Sequence, residues 1–446
     1  MRAALINEDS YPYVRRGAAT WCHQLLHGLD EHTFHLVAIT TGRHVEPAYP
    51  VPAQVAAVST YPVNGRPTRP RDPRAATAAA VILCRGIVSE DLGAFADGLR
   101  RLADQAGDPL AGAPLADVLL DAWRADGAGD GPRMTVRDAR SAAERIGYAV
   151  RPLAVRLPPV DLCHPVSSGL PLLVALAAKW RAGTPFLLSE HGTYLRPVDG
   201  SAPVRAVLLR FYRALARLGY AEAALIASIS RANQRWALRD GADPAKVVVV
   251  PGGVEPLRYP LLPAEPPTPT VVWVGRIAPP TDLHTLIRAV RRVRATVPDA
   301  TLRLVGPESD AGYAATCRRL VDRLRLRGAV HFDPPVPSSR QAYAGAQLAA
   351  FAGAAEDMPY PLVEAMMCGR ATVSADAGPV REVVGDAGAV VPPGDPVALA
   401  EACVELLGDP ARRRRLGAAA RARALRLFTV DHVRGAYRHL YREAAA

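Results

Sequence analysis

Leu348-Ala349-Ala350-Phe351, followed after a short loop by Glu356-Asp357-Met358-Pro359-Tyr360-Pro361-Leu362-Val363-Glu364-Ala365-Met366, is the stretch that decides the fold class. The four-residue apolar run has the pattern of a buried strand. Pro361 suits a helix start, because the N–H that proline lacks has no partner in a first turn. Strand, loop and helix therefore follow one another here, and the same order recurs along the chain. Towards the N-terminus, Arg2–Ile6 and His35–Thr40 flank a helical pattern at Ala18–Leu29, and strands are expected at Val160–His164, Pro185–Glu190, Ala224–Ser228 and Lys246–Val250. Further strands are expected at Thr270–Val274, Thr301–Val305, Ala329–Phe332, Ala371–Ser374 and Ala389–Val391, with helical sequence from Val397 to the end. Short apolar runs alternating with helical patterns predict an α/β protein with parallel sheets.

Two segments interrupt the alternation. Residues 66–150 are Arg/Pro-rich at first, then Ala-rich and amphipathic, and read as a mostly helical insertion. Their Gly127-Ala128-Gly129-Asp130-Gly131 follows no strand, so it reads as a loop and not a dinucleotide fingerprint. Pro256 to Thr270 is dense in proline, which stiffens a connector and cannot continue a sheet interior. Two α/β domains joined by this hinge would present strand-end loops to a deep cleft.

Composition bounds the partners. The chain has 446 residues, 49% hydrophobic and 22% charged, which is globular. Basic side chains number 54 against 43 acidic, a net +11, and all but Lys179 and Lys246 of the basic ones are arginine. The densest run, Arg412 to Arg415, continues into helical sequence and reads as a solvated face. With no aromatic-interleaved platform and no zinc-finger spacing, nucleic acid is not an expected partner. Six scattered cysteines without a CxxC pair read as buried thiols of a reducing compartment. The longest apolar stretches, such as Leu170 to Ala178, fall short of the ~18–20 residues of a membrane span. The N-terminus reaches Asn7-Glu8-Asp9 before a signal-peptide core could form, so a cytoplasmic protein is expected.

The Glu356 and Glu364 carboxylates fall on the strand-to-helix loop and in the first helical turn. A carboxylate there can accept two hydrogen bonds from vicinal hydroxyls, as acidic groups do on a ribose. Backbone N–H groups around Tyr360, Pro361, Leu362 and Val363 would suit phosphate. Beyond this stretch, Val274-Gly275-Arg276, Leu304-Val305-Gly306, Glu364-Ala365-Met366-Met367-Cys368-Gly369, Asp376-Ala377-Gly378-Pro379-Val380-Arg381-Glu382 and Val391-Pro392-Pro393-Gly394-Asp395 complete a set. From Val271 onward the sequence resembles the C-terminal half of the family 4 retaining glycosyltransferases. Tyr11 to Trp21, Phe34-His35-Leu36-Val37 and Leu188-Ser189-Glu190-His191-Gly192-Thr193-Tyr194 resemble the PelF-type branch of that family.

This resemblance implies a GT-B fold, two Rossmann-like domains facing across a deep cleft. Residues 1–255 would form the acceptor-side domain with its insertion, and 271–428 the nucleotide-sugar domain. The last helix, about 429–446, would pack back on the first. The implied reaction is retaining transfer of a hexosyl unit, with uridine diphosphate the expected carrier, to a glycan or small-molecule acceptor. No metal is implied, because cations and helix N-termini can neutralise the leaving diphosphate. By the same resemblance Arg276 and Gly275 attend the diphosphate, Gly17 offers N–H groups from the first domain, and Glu364 holds the ribose. Glu356 and the Gly378 loop would lie near the donor sugar. His191 would lie near the reacting sugar, where an imidazole can hydrogen-bond or handle a proton. A membrane-bound polysaccharide synthase is a further implied partner.

Three positions depart from the family pattern. Where a lysine is usual the chain has Thr281, with His284 and Arg288 as possible compensating cations; Arg16 stands for the first glycine of the Arg16-Gly17 pair; and Pro251-Gly252-Gly253 lacks an asparagine. A lost cation beside a diphosphate could remove ~3–4 kcal/mol of transition-state stabilisation, by analogy with oxyanion donors. The departures leave open a catalytically degenerate GT-B protein that serves as a nucleotide- or glycan-binding scaffold in polysaccharide synthesis. His164, which ends a strand, is a candidate for the acceptor side. His23 and His27, one turn apart, read as surface or cleft-lining histidines.

Overall fold

The computed structural model describes every residue except 15–16, 43–45, 66–67, 106, 127–132, 193–198, 263 and 354–357. Two compact units divide the chain. The first comprises Met1–Ile229, Asn233–Val250 and Arg434–Ala446, and the second Ser230–Ala232 and Pro251–Val433.

The first unit opens with β1 (Arg2–Glu8), α1 (Gly17–Gly28), β2 (Thr33–Thr40) and β3 (Val55–Pro62). The insertion follows as four helices, α2 (Pro73–Val88), α3 (Leu92–Ala103), α4 (Leu115–Ala125) and α5 (Val136–Val150). The expected loop at Gly127–Gly131 lies outside the described residues. The α/β pattern then resumes with β4 (Leu162–Pro165), α6 (Leu170–Ala182), β5 (Leu187–Glu190), α7 (Ala202–Glu222), β6 (Leu225–Ser228), α8 (Arg231–Arg239) and β7 (Val247–Val249).

Strands pair in parallel in the order β3-β2-β1-β4, and bridges Cys163–Phe186 and Val166–Ser189 continue the sheet into β5-β6-β7. The winding reverses between β1 and β4, a doubly wound arrangement whose ligands lie beyond the strand carboxyl ends at that reversal. Strand β3 was not anticipated: it is an edge strand with no buried residue, so it lacks the apolar run that marks the others. Asp72 and Asp91 start α2 and α3 by accepting backbone N–H bonds, and Thr135 with Asp138 forms a capping box on α5.

The second unit runs β8 (Thr270–Val274), α9 (Leu283–Thr296), β9 (Thr301–Val305), α10 (Ala311–Arg323), β10 (Val330–Asp333), α11 (Ser339–Ala344) and β11 (Leu348–Phe351). It continues α12 (Tyr360–Met367), β12 (Ala371–Ala375), α13 (Val380–Val384), β13 (Ala389–Val391), α14 (Pro396–Gly408), α15 (Pro410–Leu427) and α16 (Val430–Ala444). The order β10-β9-β8-β11-β12-β13 is again parallel, with its reversal between β8 and β11. Both units are therefore Rossmann-like. Residues from Arg434 onward, most of α16, belong to the first unit.

The arginine run departs from its expected role. Arg414 and Arg415 are exposed, but the Arg413 side chain is only 4% exposed. Its guanidinium grips the Glu265 carboxylate through Nε and Nη2 and donates to the carbonyls of Leu406 and Leu407 through Nη1. The bidentate fork thus pins the proline-rich segment to the α14–α15 corner. Replacing Arg413 by Ala strands a half-buried carboxylate and two carbonyls, and should cost about 2–3 kcal/mol in urea unfolding. An Arg413→Met/Glu265→Leu double variant should recover most of that loss, since it removes both charges together.

Candidate functional site

In the second unit the candidate residues gather beyond the carboxyl ends of β8 and β11, at the reversal. Gly275 follows β8, and a Cβ on Gly306, the residue after β9, would fall 1.8 Å from the Gly275 carbonyl oxygen. The two strand ends can approach this closely only because Gly306 has no side chain, and its φ of +148° is open to glycine. Arg276 emerges from this crowded turn exposed, with no ion pair or hydrogen bond holding its guanidinium among the described residues. Its charge is available to a ligand.

Thr281 closes the turn Pro279–Thr281, and its hydroxyl donates to the Ala278 carbonyl at 2.7 Å. A phosphate oxygen only accepts, so a hydroxyl proton already given to Ala278 is not offered to it. Position 281 supplies neither charge nor donor. Gly353, after β11, packs on this turn, where a Cβ would fall 2.3 Å from the Thr281 carbonyl carbon. The compensation considered for His284 is not available: its Nε2 is hydrogen-bonded to the Thr316 hydroxyl at 2.9 Å and its ring lies against Tyr313. The imidazole is turned to Thr316 and Tyr313 of α10, and burial lowers its pKa, with Arg288 and Arg323 acting in the same direction.

Glu364 lies just past the first turn of α12 and is half-buried. Ser339 Oγ donates to its Oε2 at 2.7 Å and lies 3.2 Å from Tyr259 Oη, while Tyr343 Oη donates to the Pro361 carbonyl at 2.7 Å. Burial raises the carboxyl pKa, against the hydrogen bonds of Ser339, Tyr259 and Tyr343. Ser339 and Tyr259 escaped sequence reasoning because they stand 25 and 105 positions upstream with no motif of their own. The amides of Leu362 and Val363 donate to the Pro359 carbonyl, and that of Tyr360 to Met358. These N–H groups are therefore engaged within the turn, and Pro361 has none. Gly378, with φ of +57°, makes the turn after β12. Glu356 lies outside the described residues.

In the first unit Gly17 is the first residue of α1, and Arg16 lies outside the described residues. His191 follows β5 and is half-buried. The Trp21 ring meets its imidazole at 66° with centroids 4.2 Å apart. Burial lowers the His191 pKa to about 4, so the ring is neutral near pH 7. It can hydrogen-bond a hydroxyl there, but so weak a base is poorly matched to the proton handling expected of it.

His164 does not line an open surface. It is fully buried, with Nδ1 hydrogen-bonded to Tyr441 Oη and Nε2 to Ser189 Oγ, each at 2.7 Å. His23 is hydrogen-bonded to Tyr11 Oη at 3.2 Å, and its ring lies tilted against those of His27 and Tyr49. Among the described residues no group of three or more His, Cys, Asp or Glu could hold a metal ion, and no helix is long and apolar enough to cross a membrane. All six cysteines are buried and unpaired.

Comparison with known proteins adds to this geometry. Residues 1–245 match the family described as Domain of unknown function (DUF3492), and residues 268–409 match Glycosyl transferases group 1. A D-inositol 3-phosphate glycosyltransferase of Kineococcus radiotolerans is 33% identical over 212 residues, 41% of this chain and 49% of that protein. The GDP-mannose-dependent monoacylated alpha-(1-6)-phosphatidylinositol monomannoside mannosyltransferase of Corynebacterium glutamicum is 32% identical over 163 residues, 35% and 42% of the two chains. The chain spans about half the length of the curated relatives it matches. Among solved structures, Anabaena HepE in complex with UDP aligns with TM-score 0.65 at 18% identity over 99% of each chain. Sucrose-phosphate synthase from Thermosynechococcus elongatus aligns with TM-score 0.65 at 19% identity over 99% and 98%. Both have the GT-B fold, and so does this chain.

The His164 and His191 imidazoles set an acid limit. Burial holds His164 at about 3 and His191 at about 4, against 6.5 in an unfolded chain. The unfolded state therefore takes protons first. Their contribution is fully present above about pH 6.5 and is lost as pH falls towards 4 and then 3. Each should tilt unfolding free energy by about 1.4 kcal/mol per pH unit across that window. His32, His35 and His284 are lowered in the same direction. Urea unfolding at pH 6, 5 and 4 should show uptake of at least about two protons, reduced by about one in His164→Gln.

Proposed function

The chain belongs to the DUF3492 family, and its residues 268–409 match Glycosyl transferases group 1. From that premise we propose that it transfers a hexosyl unit from a UDP-sugar to a glycan or small-molecule acceptor, retaining anomeric configuration and using no metal. The observation that carries the reading is Arg276: an exposed guanidinium, unpaired among the described residues, at the carboxyl end of β8, in the unit whose Glu364 is held by Ser339. A cation at that place meets the charge that develops on a departing diphosphate. Glu364, with one oxygen bonded to Ser339, accepts a ribose hydroxyl with the other. The leaving phosphate assists removal of the acceptor's proton, which accords with a neutral, weakly basic His191. The family resemblance assigns Glu356 and Gly378 to the donor sugar, and Gly17 with Arg16 to the phosphates.

Uridine is supported by HepE, solved with UDP and with UDP-glucose, whereas the Corynebacterium relative is named for GDP-mannose. The family 4 and PelF-type resemblance of Tyr11 to Trp21 and Leu188 to Tyr194 supports an exopolysaccharide role in the cytoplasm beside a membrane-bound synthase. The departure at Thr281 favours a second reading, a binding or scaffold protein with little turnover, because that residue offers a diphosphate nothing.

A panel of UDP-, GDP- and ADP-sugars scored by thermal shift tests the donor. A ligand at 100 times its Kd adds about 2.7 kcal/mol to native stability, and no shift with any of them would overturn the nucleotide-sugar reading. Glu364→Gln should weaken binding of the stabilising nucleotide about tenfold while leaving unfolding cooperative, since a charge-assisted hydrogen bond contributes about 1.5–3 kcal/mol. Thr281→Lys should raise donor hydrolysis or transfer tenfold or more, up to the ~3–4 kcal/mol of a restored oxyanion-type contact. Nucleotide binding with no turnover in either form would establish the scaffold.

A further inference from the structure

The last dozen residues of the chain reach the wall behind His191. Tyr437 Oη is hydrogen-bonded to Ser189 Oγ at 2.7 Å, and Ser189 in turn to His164 Nε2, whose other ring nitrogen meets Tyr441 Oη. Ser189 lies on β5 and stands two positions before His191, which follows that strand. The Tyr437 ring also meets Trp21 at 71° with centroids 5.2 Å apart, and Trp21 meets both His164 and His191. Trp21, His164, Ser189, Tyr437 and Tyr441 are all at most 2% exposed.

His191 differs from its neighbours in one respect. Among the described residues neither of its ring nitrogens has a hydrogen-bond partner. Its ring is held by the Trp21 contact while its polar atoms are left over. Such a hold orients an imidazole without consuming the atoms that would meet a ligand.

We infer that Trp21, Tyr437 and Tyr441 are positioning residues for His191. The C-terminal helix braces its ring through Trp21, and its strand through Ser189 and His164. This rests on the glycosyl-transfer reading for its consequence, but the brace has a readout of its own. Tyr437 and Tyr441 lie 248 and 277 positions from the residues they bond, so the brace forms only when the chain's end has docked on its first unit.

The test uses the full-length protein with Trp21→Leu, Trp21→Phe and Tyr437→Phe, each checked for a cooperative melt. Two quantities are read: UDP release from UDP-glucose, and the His191 ring signals by nitrogen-15 NMR across pH. The titratable group facing His191 is His164 from β4, which burial keeps neutral above about pH 3; Trp21 from α1 and Tyr437 from α16 carry no charge near neutrality. Trp21→Leu should lower kcat about tenfold or more with KM within twofold, and Trp21→Phe, which keeps an aromatic edge, should recover most of it. The His191 titration midpoint should rise from about 4 towards 6.5 in Trp21→Leu. Tyr437→Phe, which removes one hydroxyl, should move the His191 signals and lower kcat with KM unchanged.

Unchanged His191 signals in folded Trp21→Leu and Tyr437→Phe would overturn the inference, as would altered signals with an unchanged kcat. Should the wild-type protein release no UDP, the glycosyl-transfer reading fails for that donor, and the NMR result alone decides the brace.

Discussion

An imidazole that must stay neutral organises the first unit. His164 sits with no exposed surface between a serine of the neighbouring strand and a tyrosine from the chain's last helix. In a low-dielectric interior a protonated ring would be costly, and so would an unsatisfied nitrogen. Both costs are avoided by hydroxyl partners, which donate to one nitrogen and accept from the other whichever tautomer is present. Because Tyr437 and Tyr441 supply these contacts, docking of the C-terminal helix and satisfaction of the sheet's buried polar groups are one event. The same knot stands behind Trp21 and hence behind His191.

The second unit solves a different problem: packing parallel strand ends and the turns that follow them closely together. The Gly275 carbonyl occupies the space a side chain at Gly306 would need, and the Thr281 turn does the same at Gly353. Arginine then fastens the periphery. Arg370 donates to the carbonyls of Tyr343 and Ala264, Arg413 clamps Glu265 with two carbonyls, and Arg423 caps Glu382 and Val383. In the first unit Arg181 donates in the same way to the carbonyls of Ala103 and Val155. A planar guanidinium with five fixed donors suits this work better than an ammonium. These arginines are internal fasteners, whereas Arg276 has no such partner among the described residues.

Strands β8, β9, β11 and β13 were legible to the residue, because each is an apolar run bounded by polar or small residues. The insertion was legible as helical from its amphipathic alanine-rich pattern, and its aspartate caps bear that out. Edge strand β3 was not, since solvent on its outer side removes the apolar signature. The motif residues Gly275, Arg276 and Glu364 could be named from spacing and resemblance, but their partners could not. Ser339 and Tyr259 belong to no local pattern, Trp21 ended a motif that gave no hint of its contact with His191, and Arg413 looked like one more solvated arginine in a run of four.

Local sequence was sufficient for the α/β alternation, the two Rossmann-like halves and the motif positions, because periodicity and turn chemistry act over a few residues. It was also enough to mark Thr281 as a missing cation. Whether that threonine could still serve a phosphate depended on where its proton went, and the fold sends it to Ala278. Whether His164 faced a ligand or the core depended on tyrosines more than 240 positions away. Hydrogen-bond partners and desolvation are properties of groups brought together across the chain, and no window of sequence contains them.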